Sequence, residues 1–446
     1  MKKSTLIKNA SIVNEGKVQE GDLRIVDQRI SQIDKSIAAK TCDQIVDADG
    51  LFLLPGMIDD QVHFREPGLT HKGTIASESK AAVAGGITSY MEMPNVSPAT
   101  TSIDALERKF ELAANSSLAN YSFYLGATED NLEQIKRLQP EQHCGVKVFM
   151  GASTGDLLVE HPQALDNIFR ESPGLIVTHC ESSPVIAYNL EAYRSRAQSP
   201  TIEDHPKIRS VEACYASSSY AVELAKKYGS QLHVLHITTQ KELALFEAGP
   251  IQNKSITAEA CVHHLWFCDD DYARLGNLIK CNPAIKSQSD REALIKALNS
   301  NKIDIIATDH APHTWQEKQG AYSQAPAGLP LVQHALISLF EHVKNQRFSI
   351  ELLVEKTAHN PAIRYGVNDR GFVREGYYAD LVLVNTNKPT YASHDNSYYH
   401  CAWTPFDGNE FSSSIEKTWV NGHQVFDGRV VSEQVPASMR LSFNRK

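Results

Sequence analysis

The chain has 446 residues, of which 42% are hydrophobic and 22% are charged, and its formal net charge is −9. This length suits a large barrel with an accessory domain better than one small domain. The acidic balance argues against nucleic acid or an anionic membrane as the main partner. No signal-like apolar segment or bilayer-length apolar run occurs, and the eight cysteines form no Cys-x-x-Cys pair. These features predict a cytoplasmic protein with reduced thiols.

Short apolar strands separated by turns occupy both ends of the chain. They include residues 10–13 and 23–26 near the start, and residues 379–384 near the end. Asn421-Gly422, between two further apolar stretches, is a strong hairpin signal. We therefore predict that residues 1–54 and 366–446 together form one small β-sandwich domain.

The middle of the chain alternates short apolar strands with helical stretches. Eight strand candidates occur, at residues 57–63, 87–93, 121–125, 145–150, 175–179, 232–236, 256–261 and 304–309. Eight βα units over about 300 residues are typical of an α/β fold of the (β/α)8 TIM-like barrel type. A doubly wound open sheet fits less well, because polar residues follow the carboxyl ends of so many strands. We predict a barrel domain over residues 55–365, with residues 313–330 as a loop over its mouth.

Five of these strands carry a residue that can bind a metal ion at or near the carboxyl end. These residues are His63, Lys147, His179, His236 and Asp309. Taken singly, a histidine is more often a hydrogen-bonded core residue, and a lysine is more often an exposed head on an apolar stem. In a closed barrel, however, all five strand ends meet at one rim. The set therefore favours a metal site.

The first strand, Asp59-Asp60-Gln61-Val62-His63, resembles the first metal-binding strand of the amidohydrolase superfamily, which normally reads Asp-x-His-x-His. Over nearly its whole length the chain resembles a dihydroorotase of the long, barrel-plus-sandwich type. The resemblance implies a zinc site with one or two metals. Its protein ligands would be His63, His179, His236, Asp309 and a carboxylated Lys147. Carboxylation would turn the lysine cation into a carboxylate that bridges two metals.

Gln61 is the departure from the family pattern, because a histidine normally stands there. An amide oxygen is a weak, hard donor that suits zinc poorly. The other metal would keep His179, His236 and the lysine carbamate, with one open position. We therefore expect at least one metal per chain, with the second weak or absent. The alternative is that Gln61 only holds neighbouring side chains by hydrogen bonds.

Arg65 carries the most specific substrate signal. The resemblance implies that it binds the ring carboxylate of the substrate, whereas related allantoinases and dihydropyrimidinases generally lack this arginine. The alternative is a surface salt bridge to Glu66. The resemblance also implies substrate contacts from Asn95, Asn282, His313, Ala327 and Gly328. Singly, each asparagine is more often a turn or cap residue.

Together these residues imply reversible hydrolysis of L-dihydroorotate to N-carbamoyl-L-aspartate in pyrimidine synthesis, with Asp309 as general base and then general acid. The resemblance also implies a homodimer. Two alternatives stay open: another cyclic amidase of the allantoinase or dihydropyrimidinase type, and an inactive scaffold for aspartate transcarbamoylase. His263-His264 after the seventh strand and Cys180 beside His179 are expected to be structural.

Overall fold

The computed structural model describes residues 4–151, 157–194, 199–432 and 438–445. It begins with five strands: β1 Ser4–Asn14, β2 Lys17–Val26, β3 Arg29–Asp34, β4 Asp43–Asp47 and β5 Phe52–Pro55. β1 pairs antiparallel with β2 on one edge and parallel with β4 and β5 on the other. The short strand expected at residues 10–13 is part of the longer β1. A bulge between Ile7 and Ala10, where Asn9 has a φ of 60°, bends that strand without ending its pairing.

Nine short strands then form the wall of a parallel barrel. They are β6 Met57–Val62, β7 Ile87–Glu92, β8 Asn120–Phe123, β9 Leu125–Gly126, β10 Val146–Met150, β11 Ile176–Cys180, β12 Leu232–Val234, β13 Ile256–Cys261 and β14 Ile305–Ala307. Only Tyr124 separates β8 from β9, so these two form one barrel strand. The ring closes between β6 and β14, where Val62 bridges His310 and the His63 N–H donates to the His310 carbonyl at 2.7 Å. The predicted eight-stranded barrel is confirmed.

In the described part of the chain, fourteen α-helices lie between or after the strands. They are α1 Ile75–Ala84, α2 Ile103–Ser116, α3 Leu132–Lys136, α4 Pro162–Glu171, α5 Ser183–Arg194, α6 His205–Ile208, α7 Val211–Tyr228, α8 Val262–Trp266, α9 Tyr272–Leu275, α10 Gln288–Asn299, α11 Trp315–Lys318, α12 Ala335–Lys344, α13 Ile350–Val354 and α14 Asn360–Tyr365. Ser210 caps α7 by accepting from the Ala213 N–H, and Gly229 ends it with a φ of 69°. Among the described helices, none has both the length and the apolar character needed to span a bilayer.

The last strands return to the sheet of the first five. They are β15 Leu381–Asn385, β16 Thr390–Tyr391, β17 Glu410–Phe411, β18 Ser414–Val420 and β19 His423–Phe426. The strand order β19-β18-β15-β5-β1-β2-β3, with β4 also on β1, makes one eight-stranded sheet from both chain ends. Asn421 and Gly422 form the expected hairpin turn, and both have positive φ, 48° and 75°.

The C-terminal region is not confined to this sheet. Phe406 packs against Trp266 of α8, with ring centroids 5.6 Å apart. Residues 438–445 return to the barrel, where the Leu441 N–H donates to the Tyr121 carbonyl at 2.9 Å and Phe443 joins the core beneath the strands. Part of the predicted C-terminal segment 366–446 thus packs against the barrel rather than joining the sheet. Apolar burial explains this, because these aromatic side chains cover the ends and helices of the barrel.

A buried polar network joins the sheet to the barrel. Asp380 accepts from Arg370 and, at 2.7 Å, from the Asn421 N–H. The Asn120 side chain, on β8, donates to Asp380 at 3.2 Å and accepts from Asn421 at 2.8 Å. Because Arg370 and Asp380 are both about 4% exposed, their charges depend on each other.

Replacing Asp380 with alanine should destabilise the fold by about 3–5 kcal/mol, because Arg370 would remain as an uncompensated buried charge. Urea unfolding followed by circular dichroism measures the change. The control is Asp369→Asn, which removes an exposed ion pair with Arg29, keeps a residue type that tolerates the left-handed backbone there (φ 52°), and should cost less than about 1 kcal/mol. Equal losses in the two variants would show that the network does not join the two parts.

Candidate active site

One pocket at the carboxyl ends of the barrel strands gathers the expected site residues. It is lined by Gln61, His63, Arg65, Asn95, Lys147, Phe149, His179, His236, Asn282, Asp309, Ala311, Ala327 and Gly328. His313 stands beside this lining, 2.9 Å from the Ala327 carbonyl and 3.1 Å from Arg65. Only Phe149 and Ala311 were not singled out from the sequence. Barrel closure is what brings residues up to 267 positions apart in the chain to one place.

His63 and Asp309 meet across the closure of the barrel. His63 Nε2 lies 3.1 Å from Asp309 Oδ1, and His63 Nδ1 lies 2.8 Å from Asn95 Oδ1. Burial lowers the pKa of His63, which favours the neutral ring. If Nδ1–H donates to Asn95, Nε2 carries a lone pair that faces a carboxylate oxygen. Two acceptors so close fit a shared cation.

His179 and His236 form the second pair. His179 Nδ1 lies 3.0 Å from His236 Nε2, and His179 Nε2 lies 3.0 Å from Glu181 Oε2. Glu181 also pairs with Arg209, which keeps it ionised. Burial lowers the pKa of both imidazoles. A neutral imidazole that donates one N–H to a carboxylate and turns its other nitrogen inward is the usual state of a histidine metal ligand.

Lys147, on β10, lines the pocket with both pairs and is only 1% exposed. Its Nζ lies 4.7 Å from the centre of the Phe149 ring. Burial lowers the pKa of Lys147 to about 8. Because only the neutral amine can react with carbon dioxide, this environment suits the carboxylation that the sequence resemblance implies.

Gln61 is engaged by the neighbouring strand β13. The Cys261 thiol lies 3.3 Å from Glu259 Oε1 and 3.7 Å from Gln61 Oε1, and its single proton can be donated to either oxygen. The Gln61 backbone carbonyl accepts from the Thr308 hydroxyl at 3.4 Å. These contacts are of the kind considered from the sequence, in which Gln61 holds neighbouring side chains by hydrogen bonds. It supplies no imidazole to the His63–Asp309 pair.

Arg65 is buried against the loop that follows β14. Its Nε donates to the Pro312 carbonyl at 3.0 Å, and its backbone N–H donates to Glu92 Oε1 at 3.1 Å. Glu66 instead accepts from the Ile75 N–H at the start of α1. The alternative of a surface salt bridge between Arg65 and Glu66 is therefore wrong.

Three pocket residues have left-handed backbone conformations. Arg65, His236 and Asp309 have φ values of 74°, 38° and 49°. A non-glycine residue held there costs on the order of 1–3 kcal/mol, and such strain concentrates at functional sites. The turn at Asp309 also explains why β14 ends at Ala307, two residues before the end of the strand candidate.

Several supporting residues were not recognised from the sequence. Glu181 lies two positions after His179, and this spacing is a signal that could have revealed it. A buried triad of Asp60, His233 and Glu259 stands inside the barrel, with His233 Nε2 3.2 Å from Asp60 Oδ2 and 3.7 Å from Glu259 Oε2. Burial opposes the charged ring, but the two carboxylates raise the pKa of His233. The triad therefore favours a charged His233 ring held between two carboxylates inside the barrel.

His264 and Cys180, which were also considered from the sequence, have structural surroundings. His264 Nε2 donates to the Pro283 carbonyl at 3.1 Å, which supports the segment that carries Asn282. The Cys180 thiol donates to the Thr178 hydroxyl at 3.3 Å. Burial raises the pKa of Cys180 to about 11, so the thiol stays protonated and is a poor nucleophile.

Comparison with known proteins agrees with this architecture. The model of the Amidohydrolase family matches residues 52–425. A dihydroorotase from Halobacterium salinarum is 33% identical over 425 residues, which cover 95% of this chain and 96% of that protein. An allantoinase from Solibacter usitatus is 29% identical over 435 residues, covering 95% and 93%. The L-hydantoinase (dihydropyrimidinase) of Arthrobacter aurescens superposes with a TM-score of 0.93 at 24% identity, covering 99% of this chain and 100% of that one.

The chain therefore belongs to the amidohydrolase family, whose members depend on metal ions. Within that family its relatives make it a cyclic amide hydrolase. The imidazole and carboxylate donors of the pocket fit a divalent cation of the zinc type.

Glu181→Gln should weaken zinc binding about tenfold, because an amide makes the His179 ring a less basic ligand than a carboxylate does. Competition with a chromogenic chelator measures the affinity. Glu242→Gln is the matched control, since Glu242 is equally buried but bonds to Ser218 and Thr239. An unchanged zinc affinity in Glu181→Gln would contradict the proposed orientation of His179.

Proposed function

We propose that this chain is a dihydroorotase, which reversibly hydrolyses L-dihydroorotate to N-carbamoyl-L-aspartate. The observation that carries the proposal is the buried guanidinium of Arg65 on the pocket wall. Among the described residues, no carboxylate lies within ion-pair distance of it, and its side-chain neighbours are the Pro312 carbonyl and His313. A buried guanidinium suits a bidentate carboxylate ligand. Dihydroorotate carries such a carboxylate on its ring, whereas the rings opened by allantoinases and dihydropyrimidinases do not.

The ligands of the metal would come from the His63–Asp309 pair, the His179–His236 pair and the modified lysine. They are His63, His179, His236, Asp309 and carboxylated Lys147. Because Gln61 replaces an imidazole and already bonds to Cys261, we expect one zinc to bind firmly and a second to bind weakly. When bound, such a cation polarises the scissile carbonyl and lowers the pKa of water from ~15.7 to about 7.

The residues of the chain then have distinct tasks in the reaction. Asp309 accepts a proton from the attacking water and delivers it to the ring nitrogen as the amide bond breaks. Arg65 binds the ring carboxylate, and His313 lies against Arg65 at the same wall of the pocket. Asn95 and Asn282 orient the ring, and Asn282 Oδ1 is a buried acceptor without a protein partner among the described residues, which suits a ring N–H. Holding the ring in this way makes the attack effectively intramolecular.

Ala327 and Gly328 add backbone groups to the same wall. The Gly328 N–H is already bonded to the Lys280 carbonyl at 2.8 Å. This bond fixes the loop against the segment that follows β13. A side chain at Gly328 would meet the Ala311 carbonyl oxygen at 2.4 Å, and the residue has a φ of 138°. The close approach of this loop therefore requires glycine.

Arg65→Met should lower kcat/KM for dihydroorotate by about 100-fold or more, because the substrate carboxylate loses its charged partner. Steady-state assays of ring opening and ring closure measure the effect. Arg274→Met, at an exposed site on α9, is the control and should match the unsubstituted protein. Unchanged turnover of the carboxylated ring by Arg65→Met would overturn the dihydroorotase assignment.

A direct assay separates the competing functions. The purified protein is supplied with zinc and bicarbonate, tested on dihydroorotate, allantoin and dihydrouracil, and its metal is counted on the same sample. Turnover of dihydroorotate with bound zinc supports the proposal. Turnover of only an uncarboxylated ring favours another cyclic amidase. No turnover and no bound metal would favour a scaffold that assembles with aspartate transcarbamoylase.

The place in pyrimidine synthesis and the homodimer rest on the sequence resemblance, and the cytoplasmic location rests on the composition and the cysteine pattern; all three stay proposals. Sedimentation of the purified chain tests the dimer directly.

A further inference from the structure

Lys72 is a polar residue beside the pocket that the proposed reaction does not use. It lies in the segment between β6 and α1, and its side chain is only 14% exposed. Lys72 Nζ lies 3.1 Å from His313 Nδ1 and 3.0 Å from Glu317 Oε1. The Lys72 ammonium thus links the segment after β6 to the loop over the barrel mouth. It contacts the ring nitrogen of His313 that faces away from Arg65.

His313 is surrounded by groups whose hydrogen-bonding roles are fixed. Lys72 and Arg65 can only donate, and the Ala327 carbonyl can only accept. Burial and the nearby cations Arg65, Lys318 and Lys72 hold the pKa of His313 well below its usual range, so the ring is neutral and has one N–H. The position of that single proton decides what the ring offers to a ligand.

The distances decide between the two tautomers. Nδ1 faces the Lys72 donor at 3.1 Å, while the nearest carboxylate oxygen, Glu317 Oε2, is 3.8 Å from Nδ1 and too distant for a good hydrogen bond. Nε2 faces the Ala327 carbonyl at 2.9 Å. Nδ1 therefore accepts from Lys72, and the proton lies on Nε2.

This tautomer has a consequence for Arg65. Its Nη2 lies 3.1 Å from His313 Nε2, but a protonated Nε2 has no lone pair with which to accept. One guanidinium N–H of Arg65 is therefore left for a ligand, while the imidazole N–H is bonded to the Ala327 carbonyl. A charged donor left over in this way suits a carboxylate oxygen of a ligand.

We infer that Lys72 is a positioning residue: by occupying His313 Nδ1, it keeps the Nε2–H tautomer and so leaves an Arg65 N–H to bind the carboxylate of the substrate. This inference rests on the proposed function for its substrate, and on the hydrogen-bond geometry for its tautomer. Without Lys72, the Nδ1–H tautomer becomes accessible, in which Nε2 accepts from Arg65. In that tautomer the two groups bond to each other instead of Arg65 bonding to the ligand.

Lys318 keeps the acceptor side of this arrangement in place. Its buried ammonium donates to the carbonyls of Lys280, Pro326 and Gly328 at 3.2, 3.0 and 2.9 Å. These bonds fix the chain on both sides of Ala327, whose carbonyl faces His313. The tautomer is thus set from two sides, by a donor at Nδ1 and by a fixed acceptor at Nε2.

The first test is the effect of Lys72→Met on binding of two planar rings, orotate and uracil, which differ by one carboxylate. We expect the inhibition constant of orotate and the KM of dihydroorotate to rise about tenfold, with uracil binding and kcat within about twofold, because a charge-assisted hydrogen bond is lost at the carboxylate alone. Lys72→Arg keeps a donor and should restore much of the affinity. His71→Ala, at the exposed neighbouring position, is the matched control.

The second test is a double-mutant cycle. If Lys72 acts through His313, Lys72→Met should add no further loss in a chain that already carries His313→Ala. Equal weakening of orotate and uracil by Lys72→Met, or additive losses in the cycle, would overturn the inference and indicate a general structural role.

A third measurement does not depend on the substrate. Long-range proton–nitrogen NMR of histidine-labelled protein reports the tautomer of His313, whose signal is identified by its loss in His313→Ala. We expect Nε2–H alone in the unsubstituted protein and a measurable share of Nδ1–H in Lys72→Met, where the Ala327 carbonyl and the Arg65 donor compete for Nε2. An Nε2–H ring in both would refute the role of Lys72. If dihydroorotate is not turned over, the proposed function fails, and this measurement still decides the tautomer.

Discussion

The closure of the barrel between its first and last strands is the constraint on which the site depends. The His63 N–H bonds to the His310 carbonyl, and the Thr308 N–H and hydroxyl bond to the Asp59 carboxylate at 3.1 and 2.6 Å. These bonds place Asp309 against His63. The other walls of the pocket are strands and loops inserted between these two ends, together with the loop after β14 that carries Ala327 and Gly328.

Burial then gives the site its chemistry. A histidine or lysine taken out of water loses part of its preference for the charged form. The imidazoles of His63, His179 and His236 are therefore neutral donors, and the pKa of Lys147 falls toward the range in which its amine reacts. Arg65 keeps its charge because burial lowers its pKa only to about 10. One low-dielectric pocket thus holds neutral imidazoles that can bind a metal and a charged guanidinium, that of Arg65, that can bind a carboxylate.

The strand pattern and the strand-end residues could be read from the sequence because each is a local signal. Apolar stretches with a polar residue at the carboxyl end marked the strands that carry His63, His179 and His236. The limits of β14 could not be read, since the left-handed turn at Asp309 is not visible in a run of apolar residues. The return of residues 438–445 to the barrel was also missed, because an apolar segment does not reveal which surface it will cover.

The sequence by itself determined the family, the barrel and the residue types at the strand ends, because periodicity and motif spacing are written along the chain. It also determined that Gln61 replaces an imidazole. Only the tertiary structure decided that the Gln61 oxygen is engaged by Cys261, that Glu181 orients His179, and that Lys72 lies against His313. These contacts join residues on different strands and loops. Their distances, and therefore the positions of protons and lone pairs, exist only once the chain is folded.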